Sequence, residues 1–115
     1  MTQATADRFP FMNLAVYQAA RELVVVVERG AIRDAELRDQ ATRAAKSVLL
    51  RLAEGLPLKS PAMRQKFFSE AWGSLHEVAA AVDVAAAIGA LDAAVAEQAL
   101  ELAGQTRRLL SGLRR

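Results

Sequence analysis

The residues that could do chemistry are few. The chain has one histidine, His76, and no cysteine, which excludes a thiolate nucleophile, cysteine-ligated zinc and any disulfide framework. His76 has no second histidine with which to share a zinc ion. A di-iron helical bundle needs Glu-x-x-His on two helices, and the residue three before His76 is Gly73. Ser74 stands two before it; on a helix the two side chains point about 200° apart and cannot pair as nucleophile and base. Ser47, Ser60, Ser69 and Ser111 have no neighbours that would activate a hydroxyl, and neither G-x-G-x-x-G nor G-x-x-x-x-G-K-[ST] occurs. No loop gathers carboxylates into a cation cradle. The expectation is a protein with no catalytic, cofactor or metal residues, not an enzyme, in which His76 is a hydrogen-bonded structural or interface residue rather than a pH switch.

The remaining chemistry is charge. Fifteen Lys and Arg stand against thirteen Asp and Glu, a formal +2. That excess is too small to make the whole molecule a polyanion binder, so placement decides.

Placement follows from the helices. Hydrophobic residues make up 53% of the chain but aromatics only 5%; alanine, valine and leucine carry the apolar content, a palette suited to closely packed helices. The first helix is expected over residues 14–29, capped by Asn13, with Met12 and Tyr17 as a hydrophobic staple and Gly30 as its stop. Leu14, Tyr17, Ala20, Leu23, Val24 and Val27 recur at three and four. The second, 35–54, takes Asp34 as cap, carries Leu37, Ala41, Ala44, Ala45, Val48, Leu49 and Leu52, and stops at Gly55. Ser60-Pro61 opens the third, 61–88, with Phe67, Phe68, Ala71, Trp72, Leu75, Val78, Ala79, Val82 and Ala86 along one side and Gly89 at its close. Asp92 caps the fourth, 93–111, bearing Val95, Ala99, Leu102 and Leu109, with Leu113 beyond it. Gly73 and Gly104 fall inside helices, and close approach of a neighbouring helix, rather than a ligand contact, is the expected reason.

Short connections make sequential helices reverse, so the fold class is all-α: an up-down-up-down antiparallel four-helix bundle, residues 1–115 as one domain. No apolar run approaches the ~20 residues of a membrane span, and the start MTQATADRFP lacks a signal pattern; the expected location is cytoplasmic, with no membrane partner.

From Val78 to Ile88 apolar residues run nearly round the helix, and Val24 to Val27 do the same in the first. A helix apolar on every side is normally buried on every side, so these stretches predict a homo-oligomer with Val25, Val26, Ala80, Ala81, Val84 and Ala87 in the interface. Exposed alanine as a mere helix former is the plainer explanation.

The same topology gathers Arg8, Arg51, Lys59, Arg64, Lys66, Arg107, Arg108, Arg114 and Arg115 at one end, opposed by Asp7, Glu54 and Glu70. Cations in a last helical turn complement the macrodipole, which explains Arg107, Arg108, Arg114 and Arg115 without a ligand. Lys59, Arg64 and Lys66 sit at a helix N-terminus, where that account fails. A basic partner for Glu54 is expected among these three. The nucleic-acid-binding residues predicted from the sequence are Arg51, Lys59, Arg64, Lys66, Arg107, Arg108, Arg114 and Arg115, acting with little sequence specificity because neither a base-reading motif nor an exposed aromatic platform is expected.

The segments LAVYQAARELV, LRDQATRAAKSVLLRLAEG and FFSEAWGSLHEV resemble, in order and spacing, the signature segments of the four-helix-bundle family of the 23S rRNA-intervening-sequence protein. Ala53 to Gly55 and Gly73 to Glu77 are the most specific pieces. The resemblance implies a left-handed four-helix bundle assembled as a ring-like homopentamer, with no established catalytic residues. It also implies kinship in fold with the accessory variability proteins of diversity-generating retroelements, basic pentamers that associate with a reverse transcriptase and nucleic acid. Arg51 stands where family members usually have Asn, and Thr42 where they usually have a basic residue. The functional expectation is a non-enzymatic homo-oligomeric assembly or adaptor protein whose basic end binds RNA, DNA or a nucleic-acid enzyme; the alternative is a protein–protein scaffold with no nucleic-acid role.

Overall fold

The computed structural model describes residues 8–114. Among them are four α-helices, α1 (Ala15–Arg29), α2 (Ala35–Gly55), α3 (Pro61–Ala87) and α4 (Ala93–Leu113), preceded by a 3₁₀ turn, Pro10–Asn13, and no strand. The run of four valines in α1 is helical. Each helix packs on two others, α1 on α2 and α4, α3 on α2 and α4, with α2 and α3 most extensively paired. The body measures 43 × 30 × 21 Å.

Local chemistry explains three of the helix ends. The Asp34 carboxylate accepts the Leu37 N–H at 2.9 Å and opens α2. The Ser60 hydroxyl accepts from the Met63 N–H at 3.4 Å, with Pro61 in the first helical position of α3. α3 closes on Gly89 at φ +77°, where Gly89 N–H donates to the Ala86 carbonyl and Ala90 N–H to that of Ala85. That pair of bonds is a Schellman motif, which needs the left-handed residue glycine supplies.

Several terminal assignments differ from the sequence expectation. Asn13 does not cap α1: it ends the 3₁₀ turn started by Pro10, and the cap position is Leu14, which has no side-chain cap bond. Tyr17 packs on Phe11, the two rings edge-on with centroids 5.3 Å apart. Asp92 holds the cap position of α4 without capping it; its carboxylate faces Arg33 Nη1 at 3.5 Å instead. Gly30 stays right-handed, and the left-handed residue after α1 is Ala31, φ 55°. α4 runs to Leu113, one half-turn past the expected end.

Gly55 belongs to α2 and does not stop it, since the following Leu56 keeps helical angles. Its role is contact: a Cβ there would lie 2.9 Å from Phe67 Cβ and 3.0 Å from Phe68 Cε1. The missing side chain lets the end of α2 seat against the start of α3. Phe68 is thereby fully buried, worth roughly 1.5–3 kcal/mol.

The core runs along all four helices, through Leu23, Val48, Leu52, Leu75, Val78 and Leu110, closed at the loops by Ile32, Leu56 and Leu91. On α4 the buried stripe is Ala96, Ala99, Ala103, Thr106 and Leu110. The larger Val95, Leu102 and Leu109 are only half-buried beside it. Thr106 satisfies its hydroxyl on the Leu102 carbonyl at 2.8 Å.

Of the six residues expected at an interface between copies, Ala81 is buried in this chain's own core. Its position on α3 faces inward with Val78 and Val82, so it has no surface to offer. Val25 and Val26 are half-buried, and Ala80, Val84 and Ala87 are exposed. No helix of the described residues is long and apolar enough to cross a membrane.

Candidate nucleic-acid interface

Contacts between helix ends bring the basic residues together. The Gln65 side-chain amide near the start of α3 donates to the Leu113 carbonyl at the end of α4, at 2.9 Å. Arg114 lies over the Trp72 ring at 4.4 Å, and Gly55 fixes the end of α2 against Phe67 and Phe68. The end of α2, the start of α3 and the end of α4 therefore share one end of the molecule. At the other end, Arg33 donates its backbone N–H to the Ala90 carbonyl and its guanidinium to the Gly89 carbonyl.

The cations at the first end differ in how they are held. Arg51 is already engaged, with Glu54 at 3.0 Å and Glu70 at 3.7 Å. The expected free cation is thus a neutralised one, and the partner of Glu54 comes from its own helix, three residues back, not from Lys59, Arg64 or Lys66. Among the described residues, Lys59, Arg64, Lys66, Arg107, Arg108 and Arg114 have no carboxylate within ion-pair distance. Arg115 and Asp7 lie outside the described residues.

Three of those six rest on aromatic rings: Arg64 on Phe68 at 5.2 Å, Lys66 on Phe67 at 5.8 Å and Arg114 on Trp72 at 4.4 Å. A ring face attracts the cation and holds its stem, but it does not neutralise the charge. Arg64 Nε is buried without a hydrogen-bond partner among the described residues. The arrangement can bind polyanions by charge and position them along fixed guanidinium planes.

The model of the family described as 23S rRNA-intervening sequence protein matches residues 12–112. The chain belongs to that family. Membership covers all four helices. Among curated proteins, none matches the chain.

Trp72 is the feature the sequence reading missed. Its ring is half-buried between Arg114 and His76, whose ring centroid lies 4.9 Å away at a 44° tilt. The His76 Nδ1 sits 2.8 Å from the Trp72 carbonyl, and because a carbonyl only accepts, Nδ1 carries the proton. Trp72 and His76 are four apart, the spacing of neighbours on a helix face; that signal was in the sequence, but the arginine on the other side comes from α4. Ser74 meets Ser47 across α2 and α3 at 2.9 Å and is not aligned with His76.

The helix-interior glycines do not make the close approaches expected of them. A Cβ at Gly73 would meet nothing within 4 Å, and one at Gly104 only Arg108 Nη1 at 3.7 Å. Each still costs about 1 kcal/mol relative to alanine in a helix. Among the described residues no three His, Asp or Glu side chains group as metal ligands.

Proposed function

We propose that the protein is a non-enzymatic, cytoplasmic assembly or adaptor module: an up-down-up-down bundle that self-associates as a ring and engages nucleic acid at its basic end with little sequence specificity. The observation that carries this reading is the set of six cations at one end with no carboxylate partner among the described residues, three of them lying on aromatic rings. Elsewhere Arg33 pairs with Asp92, Arg43 with Asp39 and Lys46 with Glu28, while Arg21, Arg29 and Arg38 are, like the six, without a carboxylate in ion-pair distance among the described residues. A cluster of cations without carboxylate partners at one end is what a phosphate-binding surface needs. Self-association is supported by exposed apolar side chains on α3 and its cap, Val84 at 45% and Ile88 at 60% exposure, and five subunits are the number the family resemblance implies.

The test is binding of a labelled mixed-sequence duplex at low salt. Reversing Lys59, Arg64 and Lys66 to Glu should weaken binding by about tenfold or more, with helix content unchanged by circular dichroism. Arg43→Glu, in an ion pair away from the basic end, should leave binding nearly as it was. Equal binding by all three proteins, or none by the wild type, refutes the reading. A protein–protein scaffold without a nucleic-acid role is favoured by the same exposed Val84 and Ile88. Purified protein with no excess absorbance at 260 nm and no duplex binding selects it.

A further inference from the structure

A pocket of about 190 Å³ opens between α3 and α4, lined by Leu75, His76, Ala79, Leu100, Ala103, Gly104 and Arg107. It is smaller than the ~300–1,000 Å³ of a site for a drug-sized ligand, and suits one flat ring system. We infer that it receives a single unpaired nucleobase, with the adjoining phosphate held by Arg107. This deepens the nucleic-acid reading above and rests on it.

The floor is made of small residues. Ala79, Ala103 and Gly104 let a planar group approach the helix backbones; a Cβ at Gly104 would meet only Arg108 Nη1, the far end of a flexible side chain, at 3.7 Å. Arg108 belongs to the same helix, and no atom of another helix lies within 4 Å of that Cβ position.

One wall is aromatic. His76 is the outer member of a column in which Arg114 lies on Trp72 and Trp72 on His76. Stacking on an aromatic face tolerates every base, because every base has a π-face. The His76 Nδ1 proton is donated to the Trp72 carbonyl at 2.8 Å, which holds the ring in place as that wall. Arg107 is exposed at the rim and has no carboxylate partner among the described residues. An apolar slot, an aromatic wall and a cation at the mouth are the three elements a base with its phosphate requires. A duplex hides its bases in the stack, so the occupant comes from a single strand.

Trp72 is the only tryptophan in the chain, so its fluorescence reports on the pocket's neighbour directly. Full-length protein is titrated with a mixed-sequence single-stranded oligonucleotide and with an abasic strand of equal length. The base-bearing strand should quench Trp72 and bind about tenfold more tightly than the abasic one. Gly104→Leu, which fills the slot with a better helix former, should remove that tenfold preference and leave abasic binding unchanged; Gly104→Ala should reduce it in part. Equal affinity for the two strands without quenching overturns the pocket and leaves the charge-based reading standing. Failure of the wild type to bind either strand overturns both. A change in solution mass for Gly104→Leu, with the strand preference intact, assigns the slot to a second copy and overturns the nucleobase.

Discussion

Gly55 and Gly104 show how differently one residue type can work in one chain. At Gly55 the nearest obstacle to a Cβ is Phe67 Cβ at 2.9 Å, an atom tied to its own backbone that cannot swing away. Gly55→Ala should destabilise the fold by roughly 1–3 kcal/mol through overpacking. At Gly104 the nearest atom is the far end of Arg108, at 3.7 Å. Gly104→Ala should stabilise by up to about 1 kcal/mol from helix propensity alone. Urea denaturation of the two variants beside the wild type checks the opposite signs. In the sequence both read as glycine in or beside a helix; only the partner element, Phe67 in one case and none in the other, separates them. Arg51 teaches the same lesson for charge, since Glu70 on α3 neutralises it across a helix boundary that spacing along α2 does not reveal.

At the scale of elements, the helix boundaries were legible because short-range chemistry sets them. Asp34 and Ser60 cap as their types suggest, and Gly89 takes the left-handed turn. Asp34→Ala should therefore cost about 1 kcal/mol. Asp92→Ala should cost less, because Asp92 makes no cap bond and its exposed pair with Arg33 is screened by solvent. Gly89→Ala should cost roughly 1–2 kcal/mol for forcing a Cβ into left-handed geometry. Thermal melts of the three variants rank them. What the sequence hid is the face of α4: its buried stripe is mostly alanine, so the larger leucines and valine beside it drew the eye to a face turned partly outward. Alanine is both the best helix former and a core residue, and its spacing carries no size signal to tell which.

For the whole molecule, the all-helical fold was legible in the periodicity, and the contacts of Gln65 with Leu113 and of Arg114 with Trp72 bring cations of α3 and α4 together. The subset of cations that stays unpaired was not legible there, because it depends on which carboxylates and rings arrive from other helices. The apolar surplus that suggested self-association is smaller than it looked: Ala81 is consumed by the chain's own core, while Val84 and Ile88 remain exposed. Light scattering coupled to size exclusion should give a mass several times 12.4 kDa, and Val84→Glu with Ile88→Glu should lower it.

The most direct test of the basic end is the salt dependence of duplex binding. The six cations without carboxylate partners at that end should give a slope of log affinity against log salt of about −5 or steeper, at ~0.9 per phosphate neutralised. Reversal of Lys59, Arg64 and Lys66 should make that slope shallower by about 3. A slope near zero, or one that the reversal leaves unchanged, would contradict the account.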